Sequence, residues 1–155
     1  MAFASLAAAA IHVAAAITEA DEGAATVLFF AGVAAAQALW GLVALARAPR
    51  AWLALGAIGN LAVAAVWFWS RTAGLPVGPE AGVALPVSFP DLVSALLEIG
   101  VAIGATALLL PGRREDGAAR RAPVFAAVAG LLLVALAVVA VLAQAGVIEG
   151  LSAGS

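Results

Sequence analysis

Residues 92–110 read LVSALLEIGVAIGATALLL, an apolar run interrupted by one charged residue, Glu98. A bilayer core of about 30 Å needs roughly 20 apolar residues in an α-helix that rises about 1.5 Å per residue. The run therefore predicts a transmembrane helix. It also places one ionisable side chain where hydrocarbon disfavours charge.

Four more apolar runs of similar length occur along the chain, at residues 2–20, 24–46, 51–70 and 123–145. Charges, prolines and glycines accumulate between the runs, as expected where the backbone leaves a helix at a wet boundary. We expect an all-α, polytopic transmembrane helical bundle of five spans that forms a single domain over residues 1–155. A cleaved signal peptide is the alternative for residues 2–20, but that run lacks a basic leading segment and contains His12 and Glu19.

The composition excludes most other classes of protein. Of 155 residues, 66% are hydrophobic and 10% are charged, whereas a soluble domain carries about 25% charged residues. A soluble enzyme and a disordered tail are therefore not expected. A nucleic-acid partner is not expected either, since the 7 basic residues give no excess positive charge and the net charge is -2. The absence of cysteine excludes disulfides, thiolate metal sites and thiol catalysis.

The arginines predict the orientation of the chain in the membrane. Six of the 7 basic residues lie in the loops after the second and fourth spans: Arg47, Arg50, Arg113, Arg114, Arg120 and Arg121. By the positive-inside bias these loops are cytoplasmic, so the N-terminus is inside, the C-terminus is outside and residues 71–91 form an outer loop. We expect a multi-pass protein of the bacterial inner membrane. Trp40 and Trp52 are then expected in the aromatic belt at the inner interface.

Seven polar side chains fall within or at the ends of the first four spans: His12, Glu19, Gln37, Asn60, Arg71, Asp91 and Glu98. Helix rise gives their depths. His12 is about 12 Å below the outer end of span one and Glu98 about 10 Å below that of span four, so the two are level. We expect these residues to line an outward-opening polar pocket with His12, Gln37, Asn60 and Glu98 at its floor.

Glu19, Arg71 and Asp91 are expected at the outer rim of that pocket. Because an arginine fork suits a carboxylate, Arg71 is expected to pair with Glu19 or Asp91. His12 and Glu98 are the candidate ligands of a divalent metal ion. The alternative is that the buried polar groups serve only as interhelical hydrogen-bonding glue.

The outer loop and span four carry two further signals. Prolines and glycines exclude a helix in the loop, yet the loop is apolar, and we expect it to close over the pocket as a lid that uses Pro76, Pro79 and Glu80. The alternative is that it lies in the membrane interface. Gly100 and Gly104 form a GxxxG pair, expected to pack within the bundle rather than at a homodimer seam.

Several of these residues occur in a recognisable pattern. Asn60 is followed by a Ser-Arg-Thr-Ala-Gly-Leu-Pro-Val-Gly-Pro stretch at residues 70–79, then by Asp91 and Glu98. This pattern resembles uncharacterised small multi-pass membrane proteins of high-GC bacteria, and the positions of His12, Glu19 and Gln37 are similar too. The resemblance covers spans one to four and implies no activity.

The function expected from the sequence is an integral membrane protein that binds a cation, proton or small polar ligand in the outward-facing pocket. The alternative is an accessory or assembly subunit, whose partners are the lipid bilayer and either a second copy or a larger membrane complex. A Ser94, His12 and Asp91 grouping is the one candidate for catalysis, and without a nucleophile elbow or a dinucleotide fingerprint an enzyme is not expected.

Overall fold

In a computed structural model, the described residues are 1–78 and 80–110, and all regular structure within them is helical. The elements are the helices α1 (Ala2–Thr18), α2 (Ala24–Ala46), α3 (Arg50–Thr72) and α4 (Phe89–Leu109), with a 3-10 turn at Ala20–Glu22. The predicted fifth span at 123–145, and the arginine-rich loop before it, lie outside these residues. The all-helical prediction is confirmed for the part of the chain that is described.

Three of the helices, α2, α3 and α4, are long and apolar enough to cross a membrane. Helix α1 is also apolar but has 17 residues, which gives it about 26 Å against a core of about 30 Å. The chain therefore belongs to the class of helical membrane proteins. The count of five spans and the orientation remain predictions.

The ends of the helices follow their local chemistry. Helix α2 has the bounds predicted for the second span, while α4 begins at Phe89, earlier than expected. Ser88 and Asp91 form a reciprocal capping box there, and Pro90 occupies the first turn, where a missing N–H is harmless. Polar capping residues thus extend the helix beyond its apolar run, which is why counting apolar residues placed its start too late.

Helices α1 and α4 contact each other, and each of them packs along one further helix. Helix α1 packs along α2 and also contacts α4, and α3 packs along α4. The shared core is built mostly from small and branched apolar residues: Ala4, Ala7, Ala8, Ile11, Trp40, Leu53, Val93, Leu97, Val101 and Ala105. At Gly41 a Cβ would lie 3.0 Å from Cγ of Leu6, so this glycine lets α1 and α2 approach closely.

The prediction that the GxxxG pair of α4 packs within the bundle was wrong for Gly100. Gly100 faces open space, and a Cβ at Gly104 would meet only Met1, at 3.5 Å. The close approach occurs instead at Gly56 of α3, where a Cβ would overlap the indole ring of Trp40. In an alanine-rich bundle many small residues are available, and the rotation of each helix decides which of them faces a neighbour.

Two tryptophans join α2 and α3 at the end of the bundle predicted to be inner. The indole N–H of Trp40 donates to the carbonyl of Trp52 at 2.8 Å, and Trp52 donates to the carbonyl of Trp40 at 3.2 Å. Trp40 is only 4% exposed, so it packs in the core of the bundle, and its place near the inner membrane interface remains a prediction. Nearby, Arg50 donates to the carbonyl of Leu109 at 2.7 Å and so caps the last turn of α4.

Candidate functional site

The structure brings together four of the seven predicted polar residues, one from each helix. His12 of α1, Gln37 of α2, Asn60 of α3 and Glu98 of α4 meet in the bundle interior, together with Ser94 one turn from Glu98. All five are buried, and Glu98 is 1% exposed. We call these five residues the polar cluster.

One carboxylate oxygen organises the polar cluster. Oε1 of Glu98 lies 2.8 Å from Nε2 of His12, accepts from Nε2 of Gln37 at 3.2 Å and accepts from the Ser94 hydroxyl at 3.4 Å. The shortest of these contacts is the one to histidine. Glu98 is therefore the point at which α1, α2 and α4 are joined.

The two amides have defined orientations because their donors are engaged. Nδ2 of Asn60 donates to the carbonyl of Gly56 at 2.9 Å, which turns Oδ1 towards Gln37, 3.5 Å from its Nε2. Gln37 thus directs its NH₂ group to two acceptors, and its own Oε1 is buried without a hydrogen-bond partner among the described residues. One acceptor of the polar cluster is left to be satisfied by water or a ligand.

The His12 ring is held on two sides. It stacks on Phe30 of α2 with ring centroids 5.8 Å apart and planes at 23°, and its Nε2 lies 3.3 Å from the Ser94 hydroxyl as well as near Glu98. A catalytic triad needs the serine on one ring nitrogen and the acid on the other. Here one nitrogen faces both groups, and Asp91 is engaged elsewhere, so the Ser94, His12 and Asp91 grouping lacks triad geometry.

The predicted rim residues lie at the end of the helices that is predicted to be outer. Nη2 of Arg71 pairs with Oδ2 of Asp91 at 2.8 Å, which identifies Asp91 as the partner of Arg71. Glu19 caps the end of α1 nearby. Burial raises the pKa of Glu19, as do a hydrogen bond to Glu22 and the negative charges of Glu22 and Asp91, while Arg71 opposes the increase. Acidic groups therefore crowd this end of the bundle.

The outer loop folds into turns tied to the end of α3. The Leu85 amide donates to the carbonyl of Ser70 at 3.0 Å, and Gly74 adopts a left-handed φ of 75° that suits glycine. Of the predicted lid residues, Pro76 and Glu80 are exposed, while Pro79 lies outside the described residues. Because no hydrogen bond links the described part of the loop to the polar cluster, the lid remains a prediction.

One contributor to this region, Ser5, was missed by sequence reasoning. Ser5 is fully buried, and its hydroxyl donates to the backbone carbonyl of Gln37 at 2.7 Å. It lies seven residues before His12, and a spacing of seven residues places two side chains on one face of a helix. Extending the polar face of α1 by two turns from His12 would have found this residue.

The metal prediction has limited support in the arrangement of ionisable groups. Within residues 1–78 and 80–110, no three His, Cys, Asp or Glu side chains come close enough to hold a metal ion. His12 and Glu98 would have to be supplemented by neutral oxygens such as that of Gln37.

Comparisons with protein families, curated proteins and solved structures found no match for this chain. The site must therefore be interpreted from its own geometry.

Proposed function

We propose that this chain is an integral membrane protein, of the bacterial inner membrane, that binds and releases a proton at the His12–Glu98 pair from the outer side. The observation that carries the proposal is the 2.8 Å contact between Nε2 of His12 and Oε1 of Glu98 in a fully buried setting. The ligand expected from the sequence was a cation, a proton or a small polar molecule. Among these, the contact favours the proton.

The energetic argument begins from the cost of charge in a membrane. A lone acid or base at mid-membrane costs about 2.5–3.5 kcal/mol, whereas the His12–Glu98 pair with one shared proton is neutral overall. The proton can reside on the ring or on the carboxyl group without changing the distance between them. Gln37 and Ser94 donate to the ionised carboxylate, so each proton position has hydrogen-bonding partners.

A permanent positive charge would remove the need for that proton. Within the described part of the chain, the polar cluster forms no ion pair with arginine, because Arg71 pairs with Asp91 and Arg50 donates to a backbone carbonyl. His12 lies six residues before the end of α1, which corresponds to about 9 Å from the outer end of that helix. A proton is therefore the charge that the pair itself can accept, and the outer side is the shorter route.

The test uses the fact that the chain contains 1 histidine. Protein labelled with ¹⁵N-histidine and reconstituted in liposomes reports the protonation of His12 alone, since ring nitrogen signals differ between charged and neutral imidazole. We expect the signals to follow the outer pH, and the Glu98→Gln variant to respond over a different pH range. Repeating the series with Zn²⁺ or Mg²⁺ tests whether a metal ion replaces the proton.

The matched control is Glu80→Gln, which changes an exposed acid of the outer loop. It should leave the His12 response as in the unaltered protein. If the ring signals are constant across about pH 5–8, the range in which histidine ordinarily changes charge, or are the same in the unaltered protein and the Glu98→Gln variant, the pair is structural and the proposal fails.

An accessory subunit is the second candidate, favoured by small residues that face outward. Gly59 of α3 and Gly100 of α4 have open space in front of them, and small residues on exposed helix faces allow another helix to approach closely. Because the chain has no cysteine, Gly100→Cys can be cross-linked in native membranes, with the exposed Val13→Cys on α1 as control. Specific adducts at position 100 would support a partner helix, and equal yields at both positions would contradict it.

A further inference from the structure

Two hydrogen-bond donors near the end of α3 predicted to be outer have no acceptor among the residues that the structure describes. The indole Nε1 of Trp67 and the guanidinium Nε of Arg71 are both buried and make no hydrogen bond to any described residue. The two residues are four apart in one helix, so their side chains are neighbours on one face, about one turn from each other. They are separate from the polar cluster, whose member on the same helix is Asn60, two turns deeper.

Both donor atoms are covered by protein atoms. The Arg71 side chain is held by the bond from its Nη2 to Asp91 and is 15% exposed, so its Nε is fixed beside the helix. Trp67 lies three residues after the buried Ala64 and is itself partly buried, with its Nε1 covered by other protein atoms. A buried donor without a partner costs about 1–3 kcal/mol, so an acceptor atom placed beside either group would stabilise it.

The surrounding charges decide what kind of acceptor fits. Glu19, Glu22 and Asp91 place negative charge at this end of the bundle, and Asp91 already pairs with Arg71, so a further anion would meet repulsion there. A carboxylate or phosphate is thus a poor occupant. A cation is equally poor, because both unpartnered groups are N–H donors.

We propose that Trp67 and Arg71 form a binding site for an uncharged molecule, which they hold through one carbonyl-type oxygen. Carbonyl oxygen has two lone pairs and accepts from two donors, and the indole ring offers an apolar surface beside it. The molecule reaches the site either dissolved in the lipid, as a quinone is, or from the outer aqueous side, as a small amide is. This site does not depend on proton exchange at the His12–Glu98 pair.

The experiment observes the donor itself. Each of the 4 tryptophans gives one indole ¹⁵N–¹H signal in the protein reconstituted in nanodiscs, and Trp→Phe variants assign the signals. A short-chain benzoquinone and acetamide are added in separate titrations. We expect a saturable shift of the Trp67 signal with at least one probe and none of the Trp69 signal, since Trp69 is exposed and lies on another face.

Two substitutions remove one donor each and preserve most of the surroundings. Trp67→Phe keeps an aromatic ring, and Arg71→Lys keeps a positive charge beside Asp91 but lacks Nε. The loss of one hydrogen bond should weaken probe binding about three- to tenfold, with Trp69→Phe binding as the unaltered protein does. The Trp69 signal, unchanged in Arg71→Lys, shows that the variant is folded.

Each outcome decides the proposal. A shift with benzoquinone alone identifies a lipid-dissolved ligand, and a shift with acetamide alone identifies an aqueous one. If neither probe shifts Trp67, if Trp69 responds equally, or if both variants bind the probes with unchanged affinity, the donors are satisfied by water and the site does not exist. The His12 signal in a doubly labelled sample reports the first proposal independently.

Discussion

The strength of the His12–Glu98 interaction can be measured by a double-mutant cycle. His12→Phe removes the ring nitrogens and keeps an aromatic ring to stack on Phe30, 5.8 Å away. Glu98→Gln keeps the shape and an acceptor oxygen and removes the ionisable proton. The coupling free energy between the two substitutions therefore isolates what charge contributes to the pair, because a neutral hydrogen bond can still form in the Glu98→Gln variant.

The expected magnitude follows from the geometry. The two side chains are 8% and 2% exposed, so solvent screens the pair little. A neutral hydrogen bond contributes about 0.5–1.5 kcal/mol and a charged one about 1.5–3 kcal/mol. Their difference predicts a coupling of about 1–2 kcal/mol. Neutral glue between membrane helices averages about 0.6 kcal/mol, and the glutamine of the Glu98→Gln variant would preserve it, so a purely structural pair predicts a coupling near zero.

The assay is reversible unfolding of the four proteins by sodium dodecyl sulfate in mixed micelles, followed by circular dichroism. The free energy of unfolding is compared at several pH values, because the coupling should decrease where either partner loses its charge. Glu80→Gln serves as the control and should change stability by less than about 0.5 kcal/mol, as an exposed substitution does.

One result would refute the reasoning. Independent sites add within about 0.3–0.5 kcal/mol, so a coupling below that limit at every pH means that His12 and Glu98 contribute separately. The polar cluster would then be hydrogen-bonding glue, and the proton-binding proposal would lose its physical basis.

Three further outcomes are expected. In thermal unfolding, Gly56→Ala should destabilise the protein by about 1–3 kcal/mol, because the new Cβ would overlap a buried indole. Gly59 has open space in front of it, so Gly59→Ala should be neutral or should stabilise the protein by up to about 1 kcal/mol. Asp91→Asn should cost about 1–2 kcal/mol, since it removes both an ion pair and half of a capping box, and Ser88→Ala should cost less in the same assay. Burial raises the pKa of Glu19 above its ordinary 4.5, so the stability it contributes is fully present below that value and is lost as pH rises through the raised pKa. Glu19→Gln should flatten this part of the curve of stability against pH, and an unchanged slope would contradict the assignment.

The partner of Arg71 and the first residue of α4 are two features that sequence reasoning did not settle. Arg71 had two candidate partners, Glu19 and Asp91, at one depth, and only the orientation of α1 and α4 selects Asp91. The start of α4 depends on the reciprocal bonds of Ser88 and Asp91, which a count of apolar residues does not register. Both features depend on side-chain directions and not on depth.

Apolar length and a helix rise of about 1.5 Å per residue are properties of each segment alone, so counting residues was enough to give the class of protein and the relative levels of its polar groups. Glu98 and His12 could therefore be placed at one level by counting. Three features come from the packing of the folded helices: Gly56 and not Gly100 is closely approached, Trp40 is buried, and the indole N–H of Trp67 is buried. Those facts depend on how each helix is rotated about its axis, and rotation is set by the sum of many small packing contacts between helices, none of which belongs to one segment.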